Sequence, residues 1–176
     1  MTGFGLIHIY CGNGKGKTTA AISLAVRCAG RGNKVFFVQF LKSKDTGEIE
    51  SFKLLPNIEL MRGKESKKFA FQMNDEEKEN LKLEHDKLFV KALEYIKTND
   101  IKLVVFDEII GACANKVFDE DKIIDFLIHK PEGIEIVLTG RNPSEKMLDL
   151  ADYVSEITPI KHPMDKGITA RDGIER

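Results

Sequence analysis

The chain has 176 residues and a formal net charge of −1 at pH 7, enough length for a proper core in one domain spanning residues 1–176. A balanced charge gives no bulk electrostatic case for a nucleic-acid or anionic-membrane partner. No apolar run reaches a membrane span and no basic-then-apolar signal segment opens the chain; Cys11, Cys28 and Cys113 are scattered without a CxxC pair, so we expect a cytoplasmic protein with reduced thiols.

In chain order, Phe4 to Tyr10 reads as a buried central strand, with His8 in it as a hydrogen-bonded strand residue more than a catalyst. Gly12-Asn13-Gly14-Lys15-Gly16-Lys17-Thr18-Thr19 follows, and then a helix from about Lys17 to Arg31, rich in alanine and stopped by Gly30 and Gly32. Strand, glycine-rich turn and helix is the context a phosphate-binding P-loop requires. Glycines let backbone N–H groups curl inward around an anion, and the helix start adds its own N–H groups and positive dipole end. Lys17 supplies a cation for phosphate oxygens, and the Thr18 hydroxyl is an oxygen ligand of the kind Mg²⁺ takes. The spacing departs from the common pattern in one respect: Cys11 holds the first glycine's place, and Gly12 comes one residue later.

Lys34 to Phe40 is the second strand, parallel to the first through a right-handed crossover. A polar loop from Leu41 to Glu48 follows at the strand's carboxyl end, the side on which open parallel sheets bind ligands. Glu48 to Leu55 is a short helix closed by Pro56, and Ile58 to Arg62 a short strand. Phe69 and Phe71 then stand in a polar loop, either as anchors to the core or as a hydrophobic lid over a ligand. Asp75 to Thr98 is the longest helix, capped by Asn74 or Asp75, with His85 at the edge of its apolar stripe.

Ile101 to Glu108 is an apolar strand ending in two acids, the usual second half of a phosphate-loop site; Asp107 or Glu108 can hold a metal directly or through water, or Asp107 can cap a helix. Asp119 to Ile128 is a helix, and Glu135 to Thr139 a strand with Arg141 just beyond it, where a guanidinium can pair with phosphate. Ser144 caps a short helix to Leu150, Asp152 to Ile157 is the last strand, and the tail is polar with little periodicity. The fold class is α/β: a P-loop NTPase-like (RecA-like), mainly parallel sheet with helices on both faces.

The assembled chain resembles the ATP:corrinoid adenosyltransferases of the P-loop type. The resemblance rests on residues 12–19 with Cys11 before them, on Val104-Val105-Phe106-Asp107-Glu108-Ile109, and on Val137-Leu138-Thr139-Gly140-Arg141. It rests most of all on Leu150-Ala151-Asp152-Tyr153-Val154-Ser155-Glu156 running into Ile160-Lys161-His162-Pro163 and Asp165-Lys166-Gly167-Ile168. The resemblance implies transfer of the 5′-deoxyadenosyl group of ATP to a reduced Co(I) corrinoid, with release of triphosphate. It implies that Gly12, Asn13, Gly14, Lys15, Gly16, Lys17, Thr18, Thr19 and Arg141 hold the triphosphate, and that Thr18, Glu108 and also Asp107 hold Mg²⁺ or Mn²⁺. Lys17, Phe69 and Phe71 would be catalytic, the two aromatics lying against the corrinoid's lower face, and Phe71 stands where the family often has Trp. A homodimer, a reduced flavoprotein as electron donor and the absence of the N-terminal extension found in some members are further expectations. The rival readings are an ordinary P-loop ATPase or nucleoside kinase, and a non-enzymatic ATP- or corrinoid-binding protein.

Overall fold

A computed structural model of the protein describes residues 4–41, 46–63 and 72–175. Six strands form one sheet in the order β3-β2-β4-β5-β1-β6. They are β1 (Ile7–Cys11), β2 (Val35–Gln39), β3 (Ile58–Arg62), β4 (Leu103–Asp107), β5 (Glu135–Thr139) and β6 (Tyr153–Glu156). Every pairing is parallel, so all carboxyl ends open on one side. β1 and β2 are successive in the chain, yet β5 and β4 lie between them. The chain leaves β1 towards β2 on one side, while β5 connects to β6 on the other. β1 therefore ends at a topological switch point, where such sheets bind ligands.

Alternation along the strands makes two cores. On one face Ile7, Ile9, Phe36, Val38, Val104, Phe106, Ile136 and Leu138 meet α3 (Asp75–Thr98), α4 (Ile109–Ala114), α5 (Glu120–Ile128) and α6 (Glu145–Leu150). On the other, Val35, Phe37, Val105 and Val137 meet α1 (Lys17–Ala29) and α2 (Gly47–Lys53). Ala21, Ala25 and Ala29 are the buried alanines of α1, and their small side chains let that helix lie close to the sheet. α3 starts with a reciprocal cap: Asn74 accepts from the Glu77 N–H while the Glu77 carboxylate accepts from the Asn74 N–H.

One local expectation is revised, for His85, and the alternative that Asp107 caps a helix is not taken up. His85 is not at the edge of the α3 stripe but buried within it, its ring packed at 5.3 Å from Phe40. α4 follows β4 immediately and carries no strong start signal. Its cap is Glu108, in the left-handed conformation at φ 62°, with Asp107 still in the strand.

Candidate functional site

The loop after β1 is shaped by what lies beside it. Gly12 has φ 99° and Gly16 has φ 128°, backbone that side chains rarely adopt. The backbone of Ile157, just past β6, presses on the loop as well: a Cβ on Gly12 would sit 2.5 Å from the Ile157 carbonyl oxygen. Ile157 N–H donates to the Cys11 carbonyl at 2.8 Å, and Gly14 N–H donates to the Ile157 carbonyl at 2.7 Å. Cys11 itself is the last residue of β1 with its side chain in the core, so the position before the bend has no need of glycine. Gly14 is held outward by its N–H while its carbonyl faces Lys17, whose ammonium donates to it at 2.9 Å.

Lys17 is largely buried. Burial pushes its ammonium below the ordinary lysine value; Glu108 pulls it back up and Arg141 adds to the lowering. Those influences bring Lys17, Glu108 and Arg141, from three strand ends, into one electrostatic neighbourhood.

Under the loop lies a buried polar relay. Asp107, wholly buried at the end of β4, accepts on Oδ1 from the Thr18 hydroxyl at 2.9 Å and from the Thr139 hydroxyl at 2.7 Å. Its Oδ2 accepts from Gln39 Nε2 at 3.3 Å, and the same amide nitrogen donates to Glu48 Oε1 at 3.2 Å. Thr139 Oγ1 in turn accepts the N–H of Glu108 at 2.8 Å, at the one residue of that turn with positive φ. Because the Thr18 hydroxyl gives its proton to Asp107, its lone pairs are left for the cleft. α4 can approach because two glycines meet: a Cβ on Gly140 would fall 2.5 Å from the Gly111 nitrogen, and one on Gly111 would fall 2.9 Å from Glu108 Oε2.

Above this relay opens a cleft of about 670 Å³. Asn13, Gly14, Lys15, Gly16, Lys17, Thr18, Thr19, Glu108 and Arg141 all line it. Gly12 and Asp107 do not; the first bends the chain and the second sits beneath Thr18. Phe69 and Phe71 lie outside the described residues. Glu48 and His162 also line the cleft, as does the C-terminal stretch Gly173-Ile174-Glu175. His162 and Thr139 stand in runs that carry the resemblance, but no role for them, or for Glu48, Gln39 or the C-terminal stretch, is read from the sequence; the sheet register and the return of the tail bring them here.

The cation question turns on donor chemistry. No cluster of three or more His, Cys, Asp or Glu occurs among the described residues. Beside Lys17 the cleft presents the Thr18 hydroxyl and the Glu108 carboxylate, with the carboxylates of Glu48 and Glu175 also on its lining. An all-oxygen set of this kind fits a hard cation that keeps waters and shares phosphate oxygens, and does not fit a thiolate- or imidazole-seeking metal. No described helix is long and apolar enough to cross a membrane.

Comparison with known proteins adds a second line. Residues 3–176 match the family model described as ATP:corrinoid adenosyltransferase BtuR/CobO/CobP. The chain is 32% identical to a corrinoid adenosyltransferase of Escherichia coli K12 over 174 residues, covering 97% of this chain and 85% of the relative. It is 31% identical to one from Pseudomonas aeruginosa, covering 97% and 83%, and 32% identical to the corrinoid adenosyltransferase CobA of Salmonella typhimurium, covering 97% and 85%.

Proposed function

This chain belongs to the ATP:corrinoid adenosyltransferase family, and from that premise we propose how its cleft performs the reaction. The enzyme transfers the adenosyl group of ATP to a corrinoid. In our reading the nucleophile is Co(I) of the reduced corrinoid, which attacks the ribose C5′. The new Co–C bond forms as the C5′–O bond breaks, and the triphosphate leaves with the bonding electron pair.

The leaving group sets the demand on the protein. A departing triphosphate gathers negative charge, and fixed donors aimed at it lower the barrier. Asn13 to Thr19 cradle it, Lys17 exchanges the Gly14 carbonyl for a phosphate oxygen, and Arg141 binds from the end of β5. Thr18 and Glu108 would hold Mg²⁺ or Mn²⁺, which when bound neutralises part of the phosphate charge. Asp107 acts through Thr18, fixing its hydroxyl, and is a positioning residue. The nucleotide lies so that C5′ faces the corrinoid. Phe69 and Phe71 take the corrinoid's lower face and ease reduction of Co(II).

The observation that carries this reading is the convergence of three strand ends on one cleft: the loop after β1, Glu108 after β4 and Arg141 after β5. We further propose one domain over residues 1–176, a homodimer, cytoplasmic location and a reduced flavoprotein as electron donor. The exposed edge strand β6, with Tyr153 and Val154 open to solvent, supports the dimer.

The test is product analysis with ATP and chemically reduced cobalamin. Triphosphate and an adenosyl-corrinoid are expected in equal amounts. ADP and phosphate without a corrinoid product would overturn the reading in favour of an ordinary ATPase. For the aromatic pair, Phe69→Ala with Phe71→Ala should slow assays started from Co(II) more than assays started from Co(I). Equal slowing would mean that the pair only anchors its loop.

A further inference from the structure

A second cavity, of about 420 Å³, adjoins the cleft. The two share Gly14, Lys15, His162 and Glu175, so they meet along the outer side of the phosphate loop. This second cavity has a wall of Ile157, Pro159, Ile160 and Pro163, and its charged groups are mostly cationic. Lys15, Lys161 and Arg171 are cations. The His162 Nδ1 accepts the Met164 N–H at 3.2 Å, so in the neutral ring Nε2 carries the proton and is a donor too. Against these stands one carboxylate among the lining residues, Glu175.

Among the described residues that carboxylate is bonded by Arg171. Arg171 gives it three hydrogen bonds: backbone N–H to Oε2 at 2.9 Å, Nε to Oε2 at 3.2 Å and Nη2 to Oε1 at 2.9 Å. The Arg171 side chain is 57% exposed and that of Glu175 20%. The pair is open to solvent on the Arg171 side, so an anion that offers the same paired oxygens can reach the guanidinium and compete for it. Phosphate presents the same planar face of paired oxygens to a guanidinium as a carboxylate does.

We propose that Arg171 is a further polyphosphate-binding residue: Glu175 stores its guanidinium beside Lys15, and the third phosphate of a triphosphate, reaching past the loop, takes Glu175's place. The proposal rests on the reading that residues 12–19 hold a polyphosphate, but not on the direction of the nucleotide or on the transfer step. It makes the tail a gauge of chain length. The loop grips the triphosphate along its length, and only the outermost phosphate extends to Arg171. A site of this kind favours triphosphate over diphosphate and retains the leaving group as it forms.

The test uses inorganic tripolyphosphate and pyrophosphate, each with Mg²⁺, in equilibrium binding to the full chain. The double variant Arg171→Ala with Glu175→Ala removes the pair without leaving an unpaired charge. It should bind tripolyphosphate about tenfold more weakly, the size of a charge-assisted hydrogen bond, with pyrophosphate binding unchanged. Glu175→Gln frees Arg171 and should bind tripolyphosphate more tightly than wild type. If the pair merely fastens the tail, Glu175→Gln weakens tripolyphosphate instead, and that result overturns the proposal. Equal weakening of both ligands in the double variant, or no change in either, overturns it as well. Lys17→Ala separates the two readings. Loss of both ligands there, with wild-type behaviour in the tail variants, removes only the role of Arg171. Wild-type binding of both in Lys17→Ala removes the loop reading and this proposal together.

Discussion

The two walls of the cleft are built on different physics. The inner wall, from the phosphate loop to the ends of β4 and β5, is tied into the sheet by buried bonds from Thr18, Thr139 and Gln39 to Asp107. The outer wall, His162 and the stretch from Arg171 to Glu175, is exposed and held by short-range pairs within the tail. A buried hydrogen-bonded network around a carboxylate holds its atoms in place, and breaking it leaves charge without solvent, even though the Gln39 Oε1 has no partner of its own among the described residues. An exposed pair can trade partners. The proposed chemistry, which needs fixed donors, therefore belongs to the inner wall, and the proposed discrimination by chain length to the outer one.

The largest break in this comparison comes at Lys17. Lys17→Ala should lower adenosyl transfer by roughly two to three powers of ten, as loss of one fixed donor to developing charge does, measured by single-turnover formation of the Co–C bond. The fold should persist, because the lysine's one hydrogen bond to the Gly14 carbonyl stays within the loop. A variant with near wild-type turnover would move the chemistry off the inner wall. The lowered lysine pKa adds a sign: free enzyme should lose kcat/KM at a lower alkaline pH than an ordinary lysine allows, and bound ATP should shift that limb upward.

Asp107→Asn comes next. It keeps the shape but replaces an acceptor of three hydrogen bonds with a group that must place an NH₂ against donors. The Thr18 hydroxyl then bonds to a neutral amide oxygen in place of a carboxylate, a weaker hold on its orientation, and the metal concentration for half-maximal activity should rise about tenfold, the low end of what loss of a ligand's supporting partner costs. Excess Mg²⁺ should restore much of the rate. Loss of rate with unchanged metal dependence would mean that Asp107 serves folding and not Thr18.

Much of the inner wall was legible because each part declares itself locally. Residues 12–19 carry their own turn and helix start, and Asp107-Glu108 and Arg141 close apolar runs whose carboxyl ends a parallel sheet must bring to one side. Thr139 was not legible as a partner of Asp107. The two are 32 residues apart and meet only through β4–β5 pairing. Gln39 looked like the end of one more apolar strand. The tail's place by the loop depends on the Ile157 backbone bonding to Cys11 and Gly14, contacts in which side-chain identity has no part. His85 was misplaced because a helix stripe tells which way a residue points, not how far the neighbouring loops close over it.

The glycines that seat α4 sharpen the contrast within the inner wall. Gly140→Ala places a methyl against the Gly111 backbone at a φ of 145°, and should cost roughly 2 kcal/mol or more in stability. Gly111→Ala meets only side-chain ends, Glu108 Oε2 at 2.9 Å and Leu41 Cδ1 at 3.2 Å. Its stability should change by about 1 kcal/mol or less, while metal affinity falls severalfold as the Glu108 carboxylate is pushed aside. Denaturant melts beside metal titrations separate the two. Equal destabilisation by both would show that the α4 seat is rigid throughout.

The smallest effect concerns how the inner wall meets the loop leading out of β2. His85 Nδ1–H donates to the Val117 carbonyl at 2.9 Å, and its Nε2 lies 3.4 Å from the Leu41 N–H, which it accepts only while unprotonated. Burial lowers the ring's pKa, against weaker raising by the Val117 carbonyl and by Asp86 and Glu84 on the same helix; Asp86 is itself paired with Lys122 of α5. A base whose folded pKa lies below its unfolded value of about 6.5 stabilises the fold fully above that pH. That contribution declines as pH falls from there towards the folded value, because the unfolded chain takes the proton first. Wild type should therefore lose stability between pH 7 and 5 at up to about 1.4 kcal/mol per pH unit from this one group. His85→Gln keeps a donor and an acceptor but cannot titrate. It should be less stable than wild type at pH 7 by about 1 kcal/mol, and the two curves should converge towards pH 5. Parallel curves over that range would mean that the folded ring takes up its proton at the same pH as the unfolded one, so that burial does not hold it neutral.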